Sequence, residues 1–428
     1  MTNTVRFLTE FMENALSPYQ ARDILKATLL EKGFQPLLED QDWEIEQGGK
    51  YYVVRGASVI AFTVDDLDNF SYKIVASHLD SPALKLKENP VKTAGGVATL
   101  NTETYGGGLW YSFFDRPLKL AGQVVQNADG NLKVKSVVSP FFVTIPSQAL
   151  HINREAGTTF TINAQTDLAP VFAYSEENAE ASFWQALAGE DRVVSHDLYV
   201  VNAQESYLFG VNNEFIASPR IDNLTSVCAS LEAILSHANS AGVCVAAFFH
   251  HEEIGSSTPQ GAGGDFMENT LRRIAYALRF DDAEYYKALQ NTFLLSVDNA
   301  HGVHPAHPEK ADPTNKTLLG GGIVIKNHAS GAYITDAISS ATVKTVFEKA
   351  GVPYQSFFNR SDMRSGSTLG VTSLRRFGVH GADIGIAQLA MHSACECFAK
   401  KDYDELINGL TAFFSTSFQF ANDDLIIR

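Results

Sequence analysis

The sequence predicts an α/β protein interrupted by a β-rich insertion, and three observations carry that expectation. First, seven apolar residues at 243–249 run without a charge and then stop at His250-His251-Glu252-Glu253. A short apolar run of this kind reads as a strand buried on both faces. Second, Leu224, Val227, Cys228, Leu231, Ile234 and Leu235 follow Asp222 at helical spacing. Third, the texture changes over 89–210, which is rich in Gly, Thr and Asn with alternating apolar residues and reads as mostly β. The expected organisation is therefore an α/β domain in two parts, 1–88 and 211–428, around a β-rich insertion at 89–210.

The elements follow in order. Residues 5–34 read as two short helices interrupted at Ser17-Pro18. The runs 51–55 and 59–64 read as paired strands around Gly56, and 73–77 as a strand ending at His78-Leu79-Asp80-Ser81-Pro82. Asp129-Gly130 has the chemistry of a hairpin turn between 122–125 and 132–137. After the strand 243–249 come a Gly-rich loop at 261–264, a helix around 266–278 and a strand at 293–297. A polar loop then runs to Lys316, followed by a strand at 323–326 and a helix over 335–350. Met391, Ala394, Cys395 and Phe398 are spaced as a last helix. No repeat or low-complexity segment is visible.

Composition narrows the function classes. The chain has 428 residues, 45% hydrophobic and 19% charged, which describes a globular protein with ample core. A formal net charge of -16 disfavours nucleic-acid and anionic-membrane partners, which call for basic patches. No apolar run approaches the roughly 20 residues of a membrane span. The start, Met1-Thr2-Asn3-Thr4-Val5-Arg6, lacks the basic then apolar pattern of a secretory signal. Four cysteines make no disulfide framework, and Cys395 and Cys397 read as core or reduced surface thiols. A cytoplasmic enzyme is expected.

The chemistry gathers at strand ends. The run 73–77 leads into His78 and Asp80, 243–249 into Glu252 and Glu253, and 293–297 into Asp298. In open α/β sheets functional groups collect at the carboxyl ends of strands. Asp222 adds an acid before a helix, and His392 a second imidazole late in the chain. Two adjacent carboxylates repel unless a cation or a proton lies between them. Two divalent ions about 3.5–4 Å apart need one bridging carboxylate, further N and O ligands, and a free carboxylate to take a proton from water. His78, Asp222, Glu252, Glu253, Asp298 and His392 supply that inventory. Taken singly each has a duller reading: Asp222 as an N-cap, His78 as a hydrogen-bonded structural residue, the Glu pair as a solvated edge, Asp298 as a turn residue. Their joint placement after apolar runs favours a metallohydrolase site.

At these residues the sequence resembles the aspartyl aminopeptidase family of dinuclear zinc metallopeptidases, its bacterial branch most closely. The shared motifs include His78-Leu79-Asp80-Ser81-Pro82, Tyr105-Gly106-Gly107-Gly108, Arg220-Ile221-Asp222-Asn223, His251-Glu252-Glu253-Ile254-Gly255, Asp298-Asn299-Ala300-His301-Gly302 and Ala390-Met391-His392-Ser393. Each is weak alone; in this order, over nearly the whole chain, they are specific. The resemblance implies a mixed-sheet metallopeptidase domain sandwiched by helices, with 89–210 as a dimerisation domain. It implies two divalent metal ions per chain, with Asp222 bridging, His78 and Asp298 completing one site, and Glu253 and His392 the other. Zinc is implied by the family; His/Asp/Glu donors also suit Mn2+ or Co2+. Glu252 would be the general base for a metal-bridging water, and Asp80 would support a ligand or the base. His151 would enter a neighbouring subunit's site, and Lys326 would read an acidic side chain on a peptide with a free N-terminus.

The frame also departs from the family. Arg364 and Ser365 stand where a small residue and a Cys are typical, so Arg364 at the border of the side-chain pocket bears on specificity. His250 stands where an acid is common. His301, His304 and His307 look like a metal cluster by spacing but read as residues that order the loop or support the ligands from behind. The resemblance further implies a homo-oligomer, with dimers assembling into a dodecamer. The competing readings are a related aminopeptidase with a neutral side-chain preference and a non-catalytic peptide-binding scaffold. A glycosidase pair is disfavoured, because its carboxylates must stand about 5 Å or more apart across a sugar.

Overall fold

Seven consecutive apolar residues leave a strand no polar face, so Val243–Phe249 must be covered on both sides. In the computed structural model, which describes residues 3–238, 241–421 and 424–428, it is buried throughout. Met1 and Thr2, read above for a secretory signal, lie outside the described residues. Val243–Phe249 sits inside a nine-stranded mixed sheet, in the order Gln35–Leu37, Lys50–Arg55, Ser58–Val64, Val243–Phe249, Tyr72–His78, Phe293–Val297, His380–Gly385, Ile323–Lys326, Tyr354–Phe357. The four strands from Val243–Phe249 to His380–Gly385 are parallel, and antiparallel partners flank them on both sides.

Side chains alternate across that sheet. Cys244, Ala246 and Phe248 join the core under helices Ile221–Ser236 and Lys400–Phe414. Val243, Val245, Ala247 and Phe249 join the opposite core, under helices Phe266–Ala277 and Asp282–Gln290. Each fully buried large apolar side chain contributes about 1.5–3 kcal/mol by removal from water. The architecture is thus mixed α/β with helices on both faces. No helix among the described residues is long and apolar enough to cross a membrane.

The β-rich texture folds as a six-stranded antiparallel sheet, in the order Asn131–Val138, Leu118–Ala128, Val193–Asn202, Ala83–Ala94, Val97–Tyr105, Val171–Tyr174. Asp129 and Gly130 form its expected turn, with φ of 51° and 85°. Positive φ at both central residues matches the twist of the two strands it joins.

Strand Ala83–Ala94 begins this sheet ahead of the expected start at 89, and one expected helix is absent among the described residues. Residues 390–395 are not helical. Ala387–Leu389 and Glu396–Ala399 are strands paired with each other, and Glu396–Ala399 also pairs with Phe215–Ser218. A helix begins only at Lys400. The spacing of Met391, Ala394, Cys395 and Phe398 mimics a helix, but pairing to Phe215–Ser218 fixes an extended chain. Ala390 and His392 take left-handed φ of 57° and 66° in the loop between the strands. Among the described residues no cysteine forms a disulfide; Cys228 and Cys244 are buried and Cys395 and Cys397 half-buried.

Candidate metal centre

Register brings the strand ends level. Phe249 pairs directly with His78, so the segment from His250 to Glu253 leaves the sheet beside the His78 imidazole. Asp298 follows the end of Phe293–Val297 on the other side of the same strand. Asp222 enters from the start of helix Ile221–Ser236, where its own φ and ψ of -82° and 107° are not helical. His392 comes from the loop before Glu396–Ala399.

These side chains converge around Asp222. Its Oδ1 lies 3.4 Å from His78 Nε2, which in turn is 3.8 Å from Asp298 Oδ1. Its Oδ2 lies 3.4 Å from His392 Nε2, which is 3.5 Å from Glu253 Oε1. Two donor groups result, His78/Asp222/Asp298 and Asp222/Glu253/His392, with the atoms of each within 4.8 Å of one another. Ligands about 2.1 Å from a tetrahedral ion stand roughly 3.4 Å apart, so the spacings match a coordination shell. Glu252 belongs to a further group with His78 and Glu253, also within 4.8 Å.

The donor set meets the demands of divalent cations. Among the described residues, Asp222 Oδ1 and Glu253 Oε1 are buried with no hydrogen-bond partner, which in a native interior calls for an ion or water. The imidazoles are oriented for ligation by their far nitrogens. His78 Nδ1 lies 3.0 Å from the Asp80 carbonyl and His392 Nδ1 2.7 Å from the Gly107 carbonyl. Donation there places the proton on Nδ1 and leaves Nε2 with its lone pair facing Asp222. Without a cation the cluster holds protons instead. Burial pushes Glu252 up to about 7 and Glu253 well above the usual carboxylate range. Burial disfavours the His392 cation, but contact with Asp222 and Glu253 outweighs that and lifts it to about 10.

Asp80 lies beneath the Glu pair. Its Oδ1 accepts the Glu252 backbone N–H at 3.1 Å; its Oδ2 accepts that of Glu253 at 3.1 Å and the Tyr105 hydroxyl at 2.7 Å. Burial alone would raise this carboxyl, but His250, 3.9 Å away, His78 and the Tyr105 hydroxyl hold it well below the usual range. His250 is buried and stacks on His251 with ring centres 3.7 Å apart. Gly106 takes φ of 71°, and a Cβ there would meet Glu253 Cβ at 3.1 Å, so the Gly-rich turn lets the second sheet approach the carboxylates.

The remaining candidates lie at different distances from the centre. Lys326 is buried, with Nζ 3.5 Å from Asp298 Oδ2 and 5.5 Å from the centre of the Tyr333 ring. Burial works against its charge, but Asp298 and Tyr333 raise its pKa. Among the described residues it is the one Lys or Arg lining the cavity that holds the donor groups. Arg364 is exposed and lines a neighbouring cavity, which shares His301 and Phe357 with the first. His151 is exposed on a loop of the β-rich region and does not line the centre in its own chain. His304 and His307 are exposed, their rings 5.3 Å apart, and neither joins the donor groups. Two residues that sequence reasoning passed over touch this machinery: Tyr105, through Asp80, and the buried Glu396, which accepts the backbone N–H groups of Asp222 and His392. Tyr105 opens a quoted motif. Glu396 carried only the faint signal of a lone acid in an otherwise apolar segment.

A mixed α/β sheet with this donor cluster at its strand ends defines a metallohydrolase. The family model for aminopeptidase I zinc metalloproteases (M18) matches residues 11–414. The probable M18 family aminopeptidase 2 of Clostridium acetobutylicum is 37% identical over 433 residues, covering 95% of this chain and all of that protein. The M18 aminopeptidase of Thermotoga maritima superposes with a TM-score of 0.84 at 27% identity, covering 96% of this chain and 95% of that one. The S. cerevisiae mApe1 dodecamer, with a TM-score of 0.81 at 23% identity and 96% of each chain covered, shares the fold. The chain belongs to the M18 family of zinc aminopeptidases, enzymes that hydrolyse peptide bonds. That bears out the family the motifs resembled.

Proposed function

We propose that this chain releases the N-terminal residue of peptides at a two-metal centre and prefers Asp or Glu in that position. Asp222 carries the reading: its two oxygens face two different donor groups, each 3.4 Å from an imidazole nitrogen. His78, Asp222 and Asp298 would hold one ion, and Asp222, Glu253 and His392 the other. Zinc is the family's metal, and these donors also accept Mn2+ or Co2+. Ions bound here would polarise the scissile carbonyl and lower the pKa of a bound water from about 15.7 toward about 7. Glu252 takes the proton of the attacking water and passes it to the leaving amine. Asp80 fixes the Glu252 backbone for that task.

An acidic preference needs a local cation, because a chain of net charge -16 repels acidic peptides at long range. Lys326 supplies it, buried in the cavity wall. Arg364, in the adjoining cavity, adds positive charge beyond that pocket. His151 suits a residue that reaches a neighbouring subunit's site, since it is exposed and outside the centre of its own chain. Residues 1–88 and 211–428 form the metallopeptidase domain and 89–210 the dimerisation domain, from which dimers build a dodecamer like that of the S. cerevisiae relative. We place the enzyme in the cytoplasm, where its four cysteines stay reduced, with peptides rather than nucleic acid or membrane as partners. A panel of aminoacyl-anilides with elemental analysis tests the reading. Two metals per chain and fastest turnover of Asp or Glu are expected. Faster turnover of Leu or Met overturns the acidic preference, and a single metal overturns the two-metal centre.

A further inference from the structure

We propose that Glu396 is a positioning residue that sets the spacing of the donors around Asp222 and so determines how tightly the centre holds metal. Glu396 is buried, with 2% of its surface exposed. Its Oε2 accepts the backbone N–H of Asp222 at 2.9 Å, and its Oε1 accepts the backbone N–H of His392 at 2.6 Å. One carboxylate therefore ties together two donors that lie far apart in sequence, and whose side chains meet 3.4 Å apart. Gln388 Nε2 adds a third donor to Oε1 at 3.2 Å. The Gln388 Oε1 accepts from Asn299 Nδ2 at 2.7 Å, and Asn299 adjoins Asp298. The polar network under the centre thus reaches both donor groups.

Burial and the Asp222 charge push Glu396 up to about 8, and the backbone N–H groups of Asp222 and His392 work against that in favour of the carboxylate. An ionised Glu offers only acceptors, and all three groups facing it are N–H donors. A Gln of the same shape must turn its NH2 toward one of them, leaving a buried donor against a donor. The His392 loop is the vulnerable side. His392 has a left-handed φ of 66°, and a two-residue strand pairing, Gln388 with Phe398 and Leu389 with Cys397, closes the loop that carries it. Glu396 bonds to a backbone group on each donor and touches neither imidazole nor substrate, so it acts through their placement.

The test is E396Q, titrated against a chelator with metal counted by elemental analysis. Groups that orient ligands typically govern metal affinity by about 10–100-fold. E396Q should lose metal at least tenfold more readily than wild type. Its lost activity should return on adding excess metal, because His78, Asp222, Glu252, Glu253, Asp298 and His392 are all intact. The metal-free forms of E396Q and wild type should melt within a few degrees of each other. Retention within twofold of wild type overturns the proposal, as does a collapse of metal-free stability that excess metal does not rescue. If E396Q yields no folded protein, E396D, which keeps both acceptors but shortens their reach, is titrated in the same way; affinity equal to wild type then overturns it. The proposal rests on the two-metal reading only for the number of ions. A wild type with one metal sinks that reading, and the affinity ratio still judges Glu396.

Discussion

Glu252→Gln separates the proposed base from the proposed ligands. His78, Asp222, Glu253, Asp298 and His392 each lie within 3.8 Å of another member of the cluster. Among the described residues, the Glu252 side chain has no such ion pair; it joins the group only within 4.8 Å. Its position is set through the backbone, by the 3.1 Å bond from its N–H to Asp80. The amide keeps the shape and that backbone bond and removes only the basic oxygen. A positioned general base contributes about 10²–10⁴-fold, or roughly 3–5 kcal/mol of barrier. The variant is therefore expected to lose kcat by that factor, with KM within a few-fold of wild type and metal content unchanged. Steady-state kinetics on the preferred anilide, with elemental analysis of the same sample, measures all three. A kcat within tenfold of wild type refutes the assignment of the base. Lost metal refutes the separation of Glu252 from the ligands.

Three further outcomes follow from the geometry. Asp222→Ala removes the carboxylate shared by both donor groups and should strip metal from the chain; elemental analysis showing full occupancy refutes the shared role. Lys326→Met should lower kcat/KM for Asp-anilide by roughly 10–150-fold, the range of a hydrogen bond to a charged group, with a smaller effect on Leu-anilide; an equal loss on both substrates shows that Lys326 acts through Asp298 instead. At the opposite end of the sheet, His237 Nε2 lies 3.1 Å from Asp65 Oδ2. Burial alone would lower His237, but Asp65 and Cys244 outweigh it and raise it to about 10. Because the folded pKa stands above the unfolded value of about 6.5, this pair's stabilisation is complete below that pH and is lost as pH rises toward 10. Melting temperatures of wild type and His237→Gln should therefore converge between pH 6.5 and about 10, and parallel curves count against the pairing.

Much of the centre was legible because the sheet is regular. Val243–Phe249 is apolar at every position and ends where the carboxylates begin, so its length alone placed Glu252 and Glu253 at a strand end. The strand before Asp298 read the same way. Period-based reasoning failed at 390–398, where residues spaced as one helix face belong to a hairpin. The deciding force there is pairing to Phe215–Ser218, more than 150 residues earlier, which no local window contains. Glu396 was missed for the same reason, since its partners are backbone groups brought together by the fold. Asp80 was anticipated as support, but its grip on two successive backbone N–H groups depends on a turn geometry that side-chain types do not encode.

The donors are spread from His78 to His392, and that has a consequence for the timing of biosynthesis. At about 5–20 residues per second, a ribosome needs on the order of tens of seconds to make the chain between them. Until the His380–Gly385 strand and the following hairpin have emerged, His78, Asp222, Glu253 and Asp298 lack His392 and the Glu396 that ties its loop to Asp222. A nascent chain that ends before His392 therefore carries an incomplete donor cluster. Under the proposed two-metal reading, hydrolytic power waits on the donor made last, His392.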